Sequence, residues 1–295
     1  MKILGKNIVC FGEVLWDLLP SGKIAGGAPM NVAVHANQLG LNAIMISAVG
    51  NDELGEGIMS FLLSRGLSVE NIQKNEHKTG IVEVTLDEKG SPSYKIIEPV
   101  AWDFIRLTEH AKSTIQAADA LVFGSLSLRN EISKKTLLQL QTDAKLKILD
   151  INLRKPFFTS ELTDELLRVA DIVKVNDDEL EMICNWCGQT GNETQNASFL
   201  KERYQLKGII VTRGANGAFF IDENNEVSEH QGFKVTVNDT IGSGDSFLAA
   251  FITKWLNGES PAVALKYACA VGAFVATQKG ATPLISEEDI LKFME

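Results

Sequence analysis

Hydrophobic positions along the chain switch between an alternating or continuous apolar spacing and a helical one, and these switches predict the order of elements. Lys6 to Leu19 reads as one extended apolar segment. Pro29 to Leu39 follows as a helix, with Pro in the first turn, where a missing N–H leaves nothing unpaired, and Gly40 as its stop. A short turn-rich link joins Asp17 to that helix start. Ala43 to Val49 predicts a buried strand, and Asp52 to Arg65 a helix with apolar residues at 54, 58, 61 and 62 before Gly66.

Gly80 to Val100 breaks the alternation. Ile81, Val84 and Leu86 precede the turn-forming Asp87-Glu88-Lys89-Gly90, and Tyr94 to Ile97 is again strand-like, which predicts a hairpin. Strands are then predicted at Ala120 to Phe123, Lys147 to Ile151, Asp171 to Val175 and Gly208 to Thr212, with helical stretches between them. A further hairpin lies around Asp222 to Asn225, and two long apolar helices follow at Asp245 to Leu256 and Pro261 to Thr277. Strands alternating with helices imply a mostly parallel sheet covered on both faces. With no repeat, linker or low-complexity tract, the 295 residues read as one doubly wound α/β domain carrying a small β appendage.

Charge narrows the function. A net charge of −10 argues against broad electrostatic binding to nucleic acid or to anionic membranes, so any phosphate ligand must be held by a local positive site. Glu13 and Asp17 interrupt the apolar start, and no stretch approaches a membrane span, which predicts a cytoplasmic protein. Four cysteines suit a reducing compartment. Cys184 and Cys187 form an isolated Cys-x-x-Cys without a second pair, read as packing or surface thiols. His35, His77, His110 and His230 stand in unrelated contexts without ligand spacing.

Two segments carry candidate chemistry. In Asn238-Asp239-Thr240-Ile241-Gly242-Ser243-Gly244-Asp245, paired glycines let backbone N–H groups converge at a helix N-terminus, which favours an anion. Asp245 there admits two readings, a carboxylate that complements the helix dipole or a general base held near an attacking hydroxyl. Gly26-Gly27-Ala28-Pro29-Met30-Asn31 opens the other helix, and Asp17 with Asn31 offers the acceptor and amide that a polyol needs, although the same residues suit a plain helix start. Neither a P-loop nor a dinucleotide fingerprint is present.

These two segments, in this order at opposite ends of the chain, resemble the signatures of the ribokinase or PfkB family of carbohydrate kinases, and most closely its bacterial fructokinases. The resemblance covers nearly the whole chain. It implies a single ribokinase-like domain over residues 1–295, a three-layer doubly wound sheet with a small β lid built from about 13–20 and 80–100. It further implies ATP-dependent phosphorylation of a sugar hydroxyl, with fructose as acceptor and ribose, 2-keto-3-deoxygluconate or a nucleoside as alternatives. A non-catalytic sugar-binding relative would be expected to lose Asp245 or its glycines, and both are intact.

On this resemblance Gly242, Ser243 and Gly244 form the anion hole and Asp245 is the base. Ser243 stands where relatives commonly have Ala. Asp17, Gly27, Asn31 and, from Asp150-Ile151-Asn152-Leu153-Arg154, Arg154 face the sugar or phosphate. Asn176, Thr212, Gly214, Gly217 and Cys269 line the nucleotide, and Glu179 of Asn176-Asp177-Asp178-Glu179 helps to place Mg2+ through water. Asp239 and the Ile241 carbonyl are candidates for a monovalent cation such as K+. Lys174 is a second cation near that strand end, read as a solvated structural lysine in preference to an assistant of Arg154. Lids of this kind serve as dimer interfaces in relatives, so a homodimer is expected.

Overall fold

A computed structural model describes residues 5–19, 22–86 and 92–295. The chain begins with β1 (Asn7–Phe11), β2 (Leu15–Leu19), β3 (Gly22–Gly26), α1 (Ala28–Gln38), β4 (Asn42–Gly50), α2 (Glu53–Ser64), β5 (Ile72–Asn75), β6 (Gly80–Leu86) and β7 (Pro92–Ile96). It continues through α3 (Glu109–Ala117), β8 (Ala120–Gly124), α4 (Glu131–Leu140), β9 (Lys147–Asp150), α5 (Ser160–Val169), β10 (Ile172–Asn176), α6 (Asp177–Trp186) and α7 (Glu193–Arg203). It closes with β11 (Gly208–Thr212), β12 (Ala218–Ile221), β13 (Val227–His230), α8 (Ser243–Leu256), α9 (Pro261–Ala276) and α10 (Glu287–Phe293).

A nine-stranded sheet runs in the order β13-β12-β11-β10-β9-β8-β1-β4-β5, in which the β11–β12 and β12–β13 pairings are antiparallel and the others parallel. Alternate side chains of its strands feed two cores. Ile8, Val122, Ile148, Ile172 and Ile210 pack with α1, α2, α8, α9 and α10. Val9, Leu121, Leu149, Val173 and Ile209 pack with α3 to α7 on the opposite face. The expected doubly wound three-layer α/β architecture is therefore present. The chain leaves β1 toward β4 on one side and returns as β8 on the other, so the topological switch lies between β1 and β8, and ligands of such sheets bind beyond the strands' carboxyl ends there.

Two local expectations are overturned. Lys6 to Leu19 is not one extended segment, because Gly12, at φ 144, turns the chain out of the large sheet and Leu15 begins a strand of another. The supposed link after Asp17 is β3, which pairs antiparallel with β2 in register Asp17 with Ile24. Its pattern of two apolar residues, Ile24 and Ala25, among glycines gave no alternation to read. The small sheet has order β3-β2-β6-β7. Trp16 and Leu18 pack toward the main core, whereas Leu15, Leu19, Val82 and Ile96 form a separate cluster on the face that Asp17 shares by alternation. Pro20 and the turn residues Asp87 to Gly90 lie outside the described residues, as do residues 1–4.

Candidate active site

Among the described residues, eight of the ten α-helices begin with a side chain that accepts a first-turn N–H. α1 and α8 do not. Their N-cap residues are Gly27, at φ 118, and Gly242, at φ 77, and both leave first-turn donors without a side-chain partner. Neither glycine is replaceable by a larger residue, since a Cβ would run into the Glu13 carbonyl in one case and the Ala281 carbonyl in the other. The helices pack side by side, and the Asn31 amide of α1 donates to Oδ2 of Asp245 in α8 at 2.7 Å.

At the α8 terminus the Ser243 N–H is already bonded to the Thr240 carbonyl at 3.2 Å, and the Ser243 hydroxyl donates to the Gly272 carbonyl at 3.0 Å, pinning α8 to α9. The N–H groups of Gly242, Gly244 and Asp245 have no acceptor among the described residues. The available donors are thus one position different from the Gly242, Ser243, Gly244 set, because Ser243 spends its N–H on the turn that forms the loop. Asp239 shapes the same loop, accepting from the Ile241 N–H at 3.0 Å and the Gly280 N–H at 3.1 Å. His35 bonds the Ala281 carbonyl at 2.9 Å through Nε2, and burial lowers its pKa to about 4, so it is a neutral brace for the loop against which Gly242 packs.

The carboxylates beside this terminus are displaced from ordinary acidity. Burial raises Asp245 to about 6, and the negative charge of Asp150 adds to it. The Asn31 hydrogen bond and the cations Lys174 and Arg154 act in the opposite sense. Asp17 is likewise raised by burial to about 6, offset by Arg154. Its carboxylate lies so close to Gly26 that a Cβ there would sit 2.6 Å from Oδ2. Arg154 is exposed at the end of Asp150-Ile151-Asn152-Leu153, its guanidinium forms no hydrogen bond or ion pair among the described residues, and its charge is felt by Glu13, Asp17 and Asp245 alike. Asn152 at φ 39 supplies the bend.

Glu13 entered the sequence reading as a break in the apolar start and the beginning of a lid segment, not as a site residue. It is 2% exposed and has one oxygen, Oε2, with no partner among the described residues. Burial, with Asp245's charge adding to it, raises its pKa to about 7. Lys174 corrects the expectation of a solvated lysine. It is 6% exposed and donates to Oδ1 of Asp150 at 2.9 Å. The local signal was available, because Ile-x-Asp in β9 and Ile-x-Lys in β10 put both polar residues on the same face as core isoleucines, and Lys174 and Asp150 are register partners.

Glu179 sits in a capping box. Its Oε2 accepts the Asn176 N–H at 2.9 Å, Asn176 Oδ1 accepts the Glu179 N–H at 2.8 Å, and Oε1 takes the Leu153 N–H at 2.8 Å. Burial raises its pKa while the Lys174 charge pulls it back. With both oxygens bonded to the backbone, it offers a metal only its remaining lone pairs. No cluster of three metal-ligating side chains occurs among the described residues.

A cavity of about 380 Å³ opens beside the α8 terminus, within the roughly 300–1,000 Å³ range of small-molecule sites. Thr212, Gly214, Gly217 and Cys269 line it together with Ser243 and Gly244. Phe233, Val235 and Val237 also line it and were not singled out from sequence, because the stretch after β13 has no period that marks an element. Cys269 is buried and its thiol pKa is raised by burial to about 12, so it presents a neutral apolar surface. Another hollow, of about 320 Å³, lies among α5, α6 and α7 on the opposite face of the sheet and holds none of the candidate residues.

The chain is similar to known proteins along nearly its whole length. The model of the pfkB family carbohydrate kinases matches residues 8–288. A fructokinase of Solanum tuberosum is 30% identical over 306 residues, covering 95% of this chain and 93% of its own. Among solved structures, a double mutant of Vibrio cholerae fructokinase, in fructose, ADP and potassium ion bound form, superposes with a TM-score of 0.84 at 26% identity, covering 98% of each chain. An uncharacterized sugar kinase from Pyrococcus horikoshii, in complex with ATP, gives a TM-score of 0.81 at 28% identity over 97% of each chain.

Proposed function

The chain belongs to the pfkB family of carbohydrate kinases, and we propose that it transfers the γ-phosphoryl group of ATP to a hydroxyl of fructose, giving fructose 6-phosphate. The observation that carries this reading is the Asn31–Asp245 bond, which sets a buried carboxylate of raised pKa beside unpaired N–H donors at a helix terminus, next to a nucleotide-sized cavity. An anion hole and a base that adjoin each other are what in-line transfer to a hydroxyl requires.

Asp245 accepts the proton as the sugar oxygen bonds to phosphorus and ADP departs with the electron pair of the broken P–O bond. The free N–H groups of Gly242, Gly244 and Asp245, with Ser243 holding the turn, receive the transferred oxygens. Asp17 and Asn31 take ring hydroxyls, Gly27 keeps the approach open, and Arg154 faces phosphate with two unspent planar edges. Thr212, Gly214, Gly217 and Cys269 line the nucleotide, and Asn176 orders the loop beneath it. Mg2+ neutralises phosphate charge when bound. Glu179 would hold it through water, which suits an ion that keeps its hydration shell and a carboxylate already bonded to two backbone segments. Asp239 and the Ile241 carbonyl are the candidate ligands for K+, the ion named for the Vibrio relative.

The four-stranded sheet acts as a lid that excludes water, the competing acceptor. Its edge strands β3 and β7 carry unpaired backbone groups, and a second copy of the chain is the partner we assign to them. Four free thiols and the absence of any helix, among the described residues, long and apolar enough to cross a membrane fit a cytoplasmic reaction. The acceptor is tested by kcat/KM for fructose, ribose, adenosine and 2-keto-3-deoxygluconate, with ADP release as the readout. Fructose is expected to lead, because an acceptor lacking a matched hydroxyl strands buried polar groups at about 1–3 kcal/mol each. A clear preference for another of the four removes fructose and leaves the kinase assignment standing.

A further inference from the structure

The chain leaves the four-stranded sheet along a short strap, residues 97–104, that ends in one helical turn, Ala101–Phe104. The Ile97 N–H makes the strap's bond to that sheet, donating to the Ile81 carbonyl at 3.2 Å. Ser133 of α4 fixes the far end to the main domain, accepting from the Ile105 N–H at 2.9 Å and donating to the Trp102 carbonyl at 2.8 Å. Arg129, between β8 and α4, holds both ends of the strap. Its Nη2 donates to the Ile97 carbonyl at 2.8 Å and to Asp103 Oδ2 at 2.9 Å, and its Nε donates to Asp103 Oδ1 at 2.7 Å. The Arg129 side chain is 4% exposed and that of Asp103 2%.

The same guanidinium reaches a second segment. The ring centroids of Trp102, in the strap, and of Phe157, in the loop after β9, lie 4.1 and 4.5 Å from its central carbon. The Phe157 N–H closes a turn on the Arg154 carbonyl at 2.8 Å, so the residue that packs on Arg129 also ends the turn that begins with Arg154. Closing the fold explains this arrangement poorly. A buried ion pair is often no more stable than apolar side chains of similar volume, and the Nη1 group of Arg129 is buried with no acceptor among the described residues. What the place does use is particular to arginine: a planar fork that binds Asp103 and the Ile97 carbonyl by its edge, and a delocalised face that takes an aromatic ring.

We propose that Arg129 is a positioning residue for Arg154: it grips the strap with its edge and Phe157 with its face, and so sets the turn 154–157 against the exit of the four-stranded sheet. The proposal rests on the transfer reading above and on the place which that reading gives Arg154. Arg129 touches no reacting atom. Arg154 is exposed and its guanidinium has no partner among the described residues, so its backbone is where it can be held in advance. A long side chain presented from a fixed turn loses less freedom when it meets its ligand than one presented from a loose loop. Because the strap is also the return path from the sheet that covers the sugar, Arg154 and that sheet are placed from one common point.

The test compares Arg129→Met and Phe157→Leu, each alone and each combined with Arg154→Ala. Phe157→Leu breaks the link to the turn and leaves the Arg129–Asp103 pair intact, so it carries the test if Arg129→Met strands Asp103 and fails to fold. The readout is kcat/KM for the preferred sugar with ATP saturating. With Arg154 present, each change should cost between about tenfold and 10²-fold, the scale of a misplaced reacting or binding group. In the Arg154→Ala background the same change should cost less than about twofold, because residues that act through one another are not additive. Equal factors in the two backgrounds overturn the proposal, since a loss of folded enzyme scales every activity alike. Unchanged kcat/KM in Phe157→Leu overturns it too. An Arg154→Ala enzyme as active as the wild type removes Arg154 from the reaction, and the role of Arg129 with it. A wild-type protein that phosphorylates no sugar overturns the transfer reading itself.

Discussion

The Asn31 amide donates to Asp245 at 2.7 Å across 214 residues of sequence, joining the first turns of the two helices that lack a side-chain N-cap. The bond has a directional effect. It stabilises the charged form of Asp245 against the burial and the Asp150 charge that disfavour it, and so keeps a buried carboxylate available as a base.

Asp245→Asn preserves shape and removes the proton acceptor. Turnover should fall on the order of 10²- to 10⁴-fold, the usual worth of a positioned general base, while ATP affinity, measured by calorimetry, stays close to that of the wild type. A variant that keeps more than half of the turnover would show that the carboxylate is only a dipole partner for α8.

The same carboxylate sets a pH dependence. Asp245 must be ionised to act, and its pKa is raised to about 6, so kcat/KM should decline as pH falls through about 6. Asn31→Ala removes an interaction that lowers this pKa, so the acid limb should move to higher pH. A limb that stays put in Asn31→Ala, or that moves down, contradicts the assignment of the limb to Asp245.

Much of this site was legible because its chemistry is local in sequence. Gly26-Gly27 and Gly242-Ser243-Gly244-Asp245 advertise helix starts without a side-chain cap, and the alternation of apolar strands and helices gave the layered sheet. What stayed hidden depends on which face a strand presents and on distant neighbours. Lys174 reads as a surface lysine until β9 supplies Asp150 beside it. Glu13 reads as an ordinary interruption of an apolar run until α1 closes over it. β3 escaped because its pairing with β2, not its own composition, makes it a strand.

Asp239 bonds two backbone N–H groups and shapes the loop that ends in the anion hole, so a monovalent cation held by Asp239 and the Ile241 carbonyl would order that loop. Activity is expected to rise as K+ replaces a large organic cation at constant ionic strength. Kinetics that do not respond to the exchange would remove the cation from the mechanism.

Glu13 yields a prediction about stability whose sign is opposite to that of an ordinary paired carboxylate. Its pKa is raised from 4.5 to about 7 in the folded protein, chiefly by burial. A group raised in this way contributes no penalty below its unfolded pKa, where both states are protonated. The penalty grows as pH rises from about 4.5 through about 7, because unfolding lets the carboxyl ionise in water. At about 1.36 kcal/mol per unit the full penalty is on the order of 3 kcal/mol. Glu13→Gln keeps the shape and cannot ionise, so it should be more stable than the wild type above pH 7 and nearly equal to it near pH 4.5. Urea unfolding of both proteins at several pH values measures the difference. A gap that is the same at pH 5 and pH 8 would mean that Glu13 is not the buried, poorly partnered carboxyl the fold makes of it. A gap that widens with pH would identify a destabilising group retained beside Asp245, where a stability cost is tolerated only at a functional position.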